Sequence, residues 1–193
     1  SHLDHSGMIP YLFKYGYEGP VYCTLPTRDI MSLLQLDMVK IQRGEGLDPI
    51  YTSEEVKKVV LHTIPIEYGA VTDITPDVRL TLYNAGHILG SAMAHFNIGN
   101  GLHNLVYTGD IKYGRTNLLE AANTQFPRVE TMIMESTYGG RDCVMAKSNA
   151  DEYLTEVMQR AFNRGGKIIM PVLGSGRAQE VMIIIERIIR EGK

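Results

Sequence analysis

The first seven residues, Ser1-His2-Leu3-Asp4-His5-Ser6-Gly7, place two imidazoles and a carboxylate within four positions. Imidazole nitrogen and carboxylate oxygen are ligands suited to zinc or another divalent first-row ion. Three donors so close along the chain do not all reach one ion in relaxed geometry, but a turn can aim alternate members at two neighbouring ions. A purification-tag remnant or a solvated terminus is the competing explanation for this run.

Other segments carry groups with related chemistry. His87 in "NAGHILGSA" follows an alternating stretch and lies between Gly86 and Gly90, which permit sharp turns around a placed side chain. A satisfied turn or core histidine is the alternative. Asp110 in "VYTGDIKYG" leaves an apolar stretch through a glycine, and a turn-capping aspartate would look the same. A carboxylate there could bridge two cations, and two ions roughly 3.5 to 4 Å apart activate water and stabilise charge developing on a phosphoryl group. Glu135 closes the apolar run Met132-Ile133-Met134, as a simple strand-end acid or as a group that holds an imidazole in one tautomer.

"LGSGRAQE" sets Gly174, Ser175, Gly176 and Arg177 at a helix start, where backbone N–H groups and a guanidinium suit a phosphate. The Lys-Ser/Thr ending of a nucleotide-binding P-loop is missing, and tight-turn packing is the alternative. His95 falls on the polar face of an alternating strand and reads as structural or surface. His62 and His103 have no supporting pattern, and Cys23 and Cys143 read as ordinary thiols.

The elements that must position these groups follow from periodicity. "GPVYCT" predicts a short strand after a glycine turn, and "PTRDIMSLLQLDMVKIQRG" a helix with Thr27 as a possible cap and Gly44 as its stop. "TSEEVKKVV" predicts a shorter helix capped by Thr52 or Ser53. Between Ile64 and Thr108 the signal becomes strands: "VRLTLYN" and "MAHFNIG" alternate, and "HNLVYTGD" and "VETMIMEST" each end in polar residues. From Ser148 the pattern is helix ("SNADEYLTEVMQRAFNRGG", Ser148 as cap), strand ("KIIMPVLGSG"), then helix ("RAQEVMIIIERIIREG"). That change of period marks a boundary near Gly139 to Ser148, giving domains of residues 1–143 and 144–193. The second has little sheet of its own, so it is expected to continue beyond Lys193.

A chain of 193 residues can bury a real core, and a net charge of −3 argues against a simple basic DNA-coating protein. The apolar run Val181 to Ile185 is far short of the roughly 20 residues a membrane span needs. Two cysteines imply no disulfide framework, which makes a reducing cytoplasm the expected location.

In this order, "HLDHSG", "NAGHILGSA", "VYTGDIKYG", "MIMESTYGGR" and "PVLGSGRAQE" closely resemble the metallo-β-lactamase-fold nucleases of the β-CASP group. The match looks specifically like the archaeal homologues of the nuclease subunit of the eukaryotic cleavage and polyadenylation specificity factor. It runs over essentially the whole chain. The resemblance implies an α/β class (α+β sandwich): a truncated metallo-β-lactamase fold (αββα) over 1–143, then the start of a β-CASP α/β domain over 144–193.

It implies two Zn2+, with His2 and His87 ligating the first, Asp4 and His5 the second, and Asp110 bridging. Asp4, Asp110 and Glu135 would be catalytic, Glu135 by orienting a later histidine that assists the leaving group. Ser175, Gly176 and Arg177 would bind substrate. The expected activity is zinc-dependent hydrolysis of RNA phosphodiesters, endonucleolytic in RNA 3'-end processing or decay. A 5'-to-3' exoribonuclease and a non-catalytic RNA-binding paralogue are the alternatives, and a hydrolase of thioesters or lactones is a weaker one. RNA is the expected partner, and the whole protein is expected to be a homodimer. In the family's His-x-His-x-Asp-His signature the first histidine would stand just before Ser1. This chain is therefore expected to be an incomplete piece with weak activity and poor zinc retention on its own.

Overall fold

The computed structural model describes residues 1–140 and 147–192, with the side chains of 147–149 outside the description. Cys143, the Ser148 cap and the 143/144 boundary fall outside the described residues. Those described form two compact units. One comprises Ser1–Arg115 with Leu119–Glu135; the other comprises Thr116–Leu118 with the described residues from Ser136 onward.

The first unit begins with a single helical turn, α1 (Leu3–Ser6), and a short helix, α2 (Ile9–Lys14). Neither is long enough to hold as a helix in water by propensity, so packing must hold both. Strand β1 (Val21–Cys23) leads into α3 (Leu25–Gly44), then α4 (Ser53–His62) and β2 (Thr63–Pro65), which pairs parallel to β1. Phe13, Met31 and Val59, at most 3% exposed, join α2, α3 and α4 against Val21 and Cys23 of β1. Burying each such side chain is worth about 1.5 to 3 kcal/mol, which more than offsets the weak propensity of α2. A second cluster, Val39, Tyr51 and Val56, closes the far end of α3 on α4. Full burial pushes the Tyr51 phenol up to about 12.

The cap of α3 differs from expectation. Thr24, not Thr27, is the N-cap, and its Oγ1 accepts from the Thr27 N–H while Pro26 occupies the first turn. The pyrrolidine lacks the N–H that would otherwise be orphaned there, so the helix starts before the proline. Of the two candidates for α4, Thr52 is the cap. It forms a reciprocal capping box with Glu55, whose Oε2 accepts from Thr52 N at 2.8 Å and from Thr52 Oγ1 at 2.7 Å.

The main sheet runs β3 (Val71–Thr75), β4 (Val78–Asn84), β5 (Ala92–Ile98), β6 (His103–Tyr107) and β7 (Thr131–Ile133) in spatial order. It is antiparallel except for the parallel β6–β7 pair. One face buries Ile66, Leu80 and Leu82 with Tyr22 of β1, so the two sheets share a core. On the other face Ala85, Met93 and Ala122 pack with Tyr83, Ile111 and Phe126. Helices α2 to α4, the small sheet and the five-stranded sheet give the layered α/β sandwich that the sequence predicts.

His95 is buried, 5% exposed, because that second face is covered. Its ring stacks on Phe126 at an interplanar angle of 7°, and Nε2 lies 2.8 Å from the Arg128 carbonyl. Of the two readings left open for it, the structural one describes it.

In the second unit α5 (Lys147–Asn163) and α6 (Arg177–Arg190) enclose Met158, Ile184 and Ile188, and Arg187 pairs with Asp151 at 2.8 Å. Residues 167–173, expected as a strand, carry no strand assignment. Among the described residues no strand of this unit lies beside them to complete a ladder, while Ile168 instead packs on the α5–α6 core. No described helix is long and apolar enough to cross a membrane.

Candidate metal centre

The acidic and imidazole groups singled out in the sequence come from separate segments and meet at one carboxylate oxygen. Asp110 Oδ2 lies 3.2 Å from His5 Nε2 and 3.6 Å from His87 Nε2. His5 Nε2 is also 3.4 Å from Asp4 Oδ2. His2 stands edge-on to His87, ring centroids 5.6 Å apart and planes at 88°. Asp110 thus sits between an Asp4–His5 side and a His2–His87 side.

Local structure explains each placement. The α1 turn carries three donors: the His2 carbonyl accepts from His5 N at 3.1 Å and Ser6 N at 2.9 Å, which bends the chain so that His2, Asp4 and His5 leave one tight turn. Gly7 ends it, because a Cβ there would come within 2.4 Å of the Leu3 carbonyl oxygen. His87 stands in the loop between β4 and β5. Ser91 Oγ accepts from the N–H groups of both His87 and Ile88 at 3.1 Å, and Ala85 N donates to the Ser91 carbonyl. Asp110 stands just past β6, after Gly109 with its positive φ of 54°.

The His87 and Asp110 loops are also tied to each other. Lys112 N donates to the Ala85 carbonyl at 2.9 Å, Ala122 N to the Lys112 carbonyl at 2.9 Å, and Asn123 N to the Asn84 carbonyl at 2.8 Å. Asn84 Oδ1 accepts from Gly86 N at 2.9 Å, and its Nδ2 donates to the Ala121 carbonyl. Gly86, at φ 68°, fits a cradle of backbone in which a Cβ would lie 2.7 Å from both Ala122 N and the Lys112 carbonyl oxygen. Glu135, at the exit of β7, accepts from Ile111 N at 2.7 Å and so holds the residue after Asp110.

The donor set fits a divalent cation. Asp4, His5 and Asp110 each offer one ligand atom, and these three atoms lie within 4.8 Å of one another. Metal–ligand bonds of about 2.0 to 2.2 Å in tetrahedral array require donor atoms roughly 3.3 to 3.6 Å apart. The distances of 3.2 Å and 3.4 Å from His5 Nε2 to the two carboxylates sit at that spacing. Burial holds the His87 imidazole below its ordinary pKa, with His2 and His5 acting in the same direction and Asp110 and Glu135 opposing. A neutral ring presents the lone pair that a cation requires.

Ser175, Gly176 and Arg177 lie at the start of α6 in the second unit. Gly176 N donates to Gln179 Oε1 at 2.7 Å, so one N-terminal amide is already engaged by a side chain, and Arg177 is exposed. Sequence reasoning missed the residues that brace the ligand segments: Gln35, Asn84, Ser91 and the Thr24–Thr27 pair. Only the glycines flanking His87 and Asp110 hinted at close backbone approach.

Residues 1–137 match the family model described as the metallo-beta-lactamase superfamily domain. Over its whole length the chain is 58% identical to the transcription termination factor FttA of Methanothermobacter thermautotrophicus, covering 30% of that protein. It is 55% identical to the factor of the same name from Pyrococcus abyssi and 51% identical to that from Lokiarchaeum, again across all of this chain and 30% of each relative. The chain therefore spans about a third of the length of these relatives.

Proposed function

The chain belongs to the metallo-β-lactamase superfamily, and on that premise we propose that it carries the binuclear zinc centre of a β-CASP ribonuclease that cleaves RNA endonucleolytically. The observation that carries the reading is the convergence of His5 and His87 on one oxygen of Asp110, with Asp4 and His2 beside them. The similarity to proteins named transcription termination factors supports a growing transcript as the RNA that is cut. Assembly of the whole protein as a homodimer belongs to the same reading.

In this proposal His2 and His87 would hold one cation and Asp4 and His5 the other, with Asp110 available to both. Bound divalent ions would supply Lewis-acid stabilisation of the phosphoryl oxygens and make water a better nucleophile at neutral pH. The chain's own residues do the rest. Asp4, whose side chain is 75% exposed, is open to solvent, and the oxygen that does not face His5 accepts a proton of the attacking water. Asp110 is held at the centre by Gly109, by the Lys112–Ala85 bond and by Glu135 acting on Ile111. His87, kept neutral by burial, stays a donor of its lone pair. Glu135 also orients the family's later histidine, which protonates the departing oxygen. Ser175, Gly176 and Arg177 contact the RNA backbone, giving affinity with little sequence preference.

The test is a long RNA supplied to the full-length zinc-loaded protein with its 5' end free or blocked. Internal fragments from both substrates support the endonuclease. Mononucleotides that appear only from the free end would replace it with a 5'-to-3' exonuclease. No cleavage and no bound metal would leave an RNA-binding paralogue.

A further inference from the structure

We propose that helix α3 is a bracket that sets the separation between the two ligand-bearing segments, with Gln35 and Thr27 as its positioning residues. The inference rests on reading His2, Asp4, His5, His87 and Asp110 as cation ligands.

Two contacts define the bracket. Gln35 is fully buried, and its Nε2 donates to the Ser6 carbonyl at 2.9 Å. Ser6 directly follows His5, and its Oγ donates back to the His2 carbonyl at 3.1 Å, so the amide of Gln35 grips the whole donor turn from beneath. Two turns earlier on α3, Thr27 Oγ1 donates to the Gly90 carbonyl at 2.9 Å, and Thr24 Oγ1, at the cap, to the same oxygen at 2.7 Å. Gly90 precedes Ser91, whose hydroxyl holds the His87 N–H. Gly90 itself fits this contact closely: its φ is 81°, and a Cβ would lie 2.7 Å from Thr24 Oγ1 and 2.9 Å from Thr27 N. The eight steps from Thr27 to Gln35 span roughly 12 Å of α-helix, a stiff spacer with one ligand segment fastened at each end.

The chemistry of Gln35 argues for positioning over packing. Among the described residues, no hydrogen-bond partner reaches its buried Oε1. An unpaired buried acceptor costs stability, and a methionine of similar volume would fill the space without that cost. What the amide supplies that a methionine would not is its donated bond to the turn that carries Asp4 and His5. Its neighbour Met31 makes the comparison explicit: about as buried on the same helix, it belongs to the apolar cluster with Phe13 and Val59, against which Ile9, Val21 and Cys23 pack.

The test uses the full-length protein, stripped of metal and titrated with Zn2+ against a chromophoric chelator, alongside Gln35→Met, Thr27→Val and Met31→Ala. The melting temperature of each metal-free protein and the visible spectrum of its Co2+ form are recorded. Gln35→Met is expected to weaken zinc binding roughly 10- to 100-fold, to alter the Co2+ spectrum and to leave the metal-free melting temperature near wild type. Thr27→Val gives a smaller loss of affinity, because Thr24 still donates to Gly90, and serves as the test if Gln35→Met does not fold. Met31→Ala lowers the melting temperature without changing zinc affinity or the spectrum. Unchanged zinc affinity in both hydrogen-bond variants overturns the bracket while leaving the ligand assignment intact. Equal loss of affinity in Met31→Ala also overturns it, because affinity would then follow stability. A wild-type protein that binds no zinc overturns the ligand reading and the bracket together.

Discussion

The N–H of Ile111 donates to Oε1 of Glu135 over 2.7 Å, fastening the residue that follows Asp110 to the exit of β7. Glu135 therefore acts on the centre through main chain, in addition to any role toward a substrate-side group. Replacement by Gln keeps an acceptor oxygen for Ile111, and replacement by Ala removes it. Zinc affinity is expected to stay close to wild type in Glu135→Gln and to fall roughly tenfold or more in Glu135→Ala, measured by chelator competition. If RNA cleavage collapses in Glu135→Gln while zinc is retained, the carboxylate charge serves the reaction beyond its positioning role.

Asp110 stands between both imidazole-bearing sides of the site. If the site holds two ions as proposed, removing one oxygen acceptor there should weaken both together. Asp110→Asn is expected to lower bound zinc on both sides, whereas His87→Ala should spare the Asp4–His5 side. Elemental analysis after dialysis distinguishes the two cases. A stoichiometry unchanged in Asp110→Asn would contradict the proposed bridging role.

Gly86 meets backbone on three sides, with Ala122 N and the Lys112 carbonyl oxygen at 2.7 Å and the Glu120 carbonyl oxygen at 2.9 Å from an added Cβ. Its φ of 68° adds strain for any other residue. Gly86→Ala is expected to destabilise the fold by about 2 kcal/mol or more and to lower zinc affinity, because the backbone that must shift is the tie between the His87 and Asp110 loops. Chemical denaturation of the metal-free protein, followed by zinc titration, checks both halves.

Capping of α4 predicts a dependence on pH. Hydrogen bonds from the Thr52 side chain and backbone hold the Glu55 carboxyl below its ordinary value of 4.5. A carboxylate with a depressed folded-state pKa binds fewer protons folded than unfolded, so its stabilisation is fully present above 4.5 and is lost as pH falls through the lower folded value. Thr52→Ala is expected to cost about 1 kcal/mol at pH 7. The advantage of wild type over Glu55→Gln, read from denaturation midpoints, should shrink as pH drops below 4.5. A difference constant across that window would contradict the shift.

What could be read from the sequence follows from where information resides. His87 and Asp110, each beside a glycine, fit a turn or a cap as well as a ligand when read alone, and what singles them out is their company in the ordered set of motifs; the structure brings His87, with His5, to one carboxylate oxygen of Asp110. The period of helix α3 is legible in the sequence, but its cap lies three residues before the expected Thr27, since Thr24 and Thr27 are both good caps and only Pro26, seated in the first turn after Thr24, separates them. Gln35 was invisible: one glutamine in an amphipathic helix looks like surface until Ser6, 29 residues earlier, is known to lie beneath it. His95 reads as either surface or structural from sequence because alternation alone cannot show that Phe126 covers the second face. "KIIMPV" read as a strand from composition, but a strand exists only through a partner, which no window of sequence contains.

Cys23 supplies a further check on the layer that carries β1. Burial is the main force pushing its thiol up to about 11, so the thiolate is scarce at neutral pH. Iodoacetamide should label it far more slowly in the native protein than in denaturant, and fast native labelling would mean that the α2–α4 layer opens readily.

The ties among Ala85, Lys112, Ala122 and the Asn84–Asn123 pair run largely through main-chain N–H and carbonyl groups. Every residue except proline carries both groups, so substitutions at Lys112 and Asn123 leave these main-chain bonds available to the loops they join. Proline at either place would delete a donor. The spacing of the donors beneath the loop between Asp110 and β7 is thus set by main chain, and at the exposed Lys112 it tolerates any side chain that leaves the N–H in place.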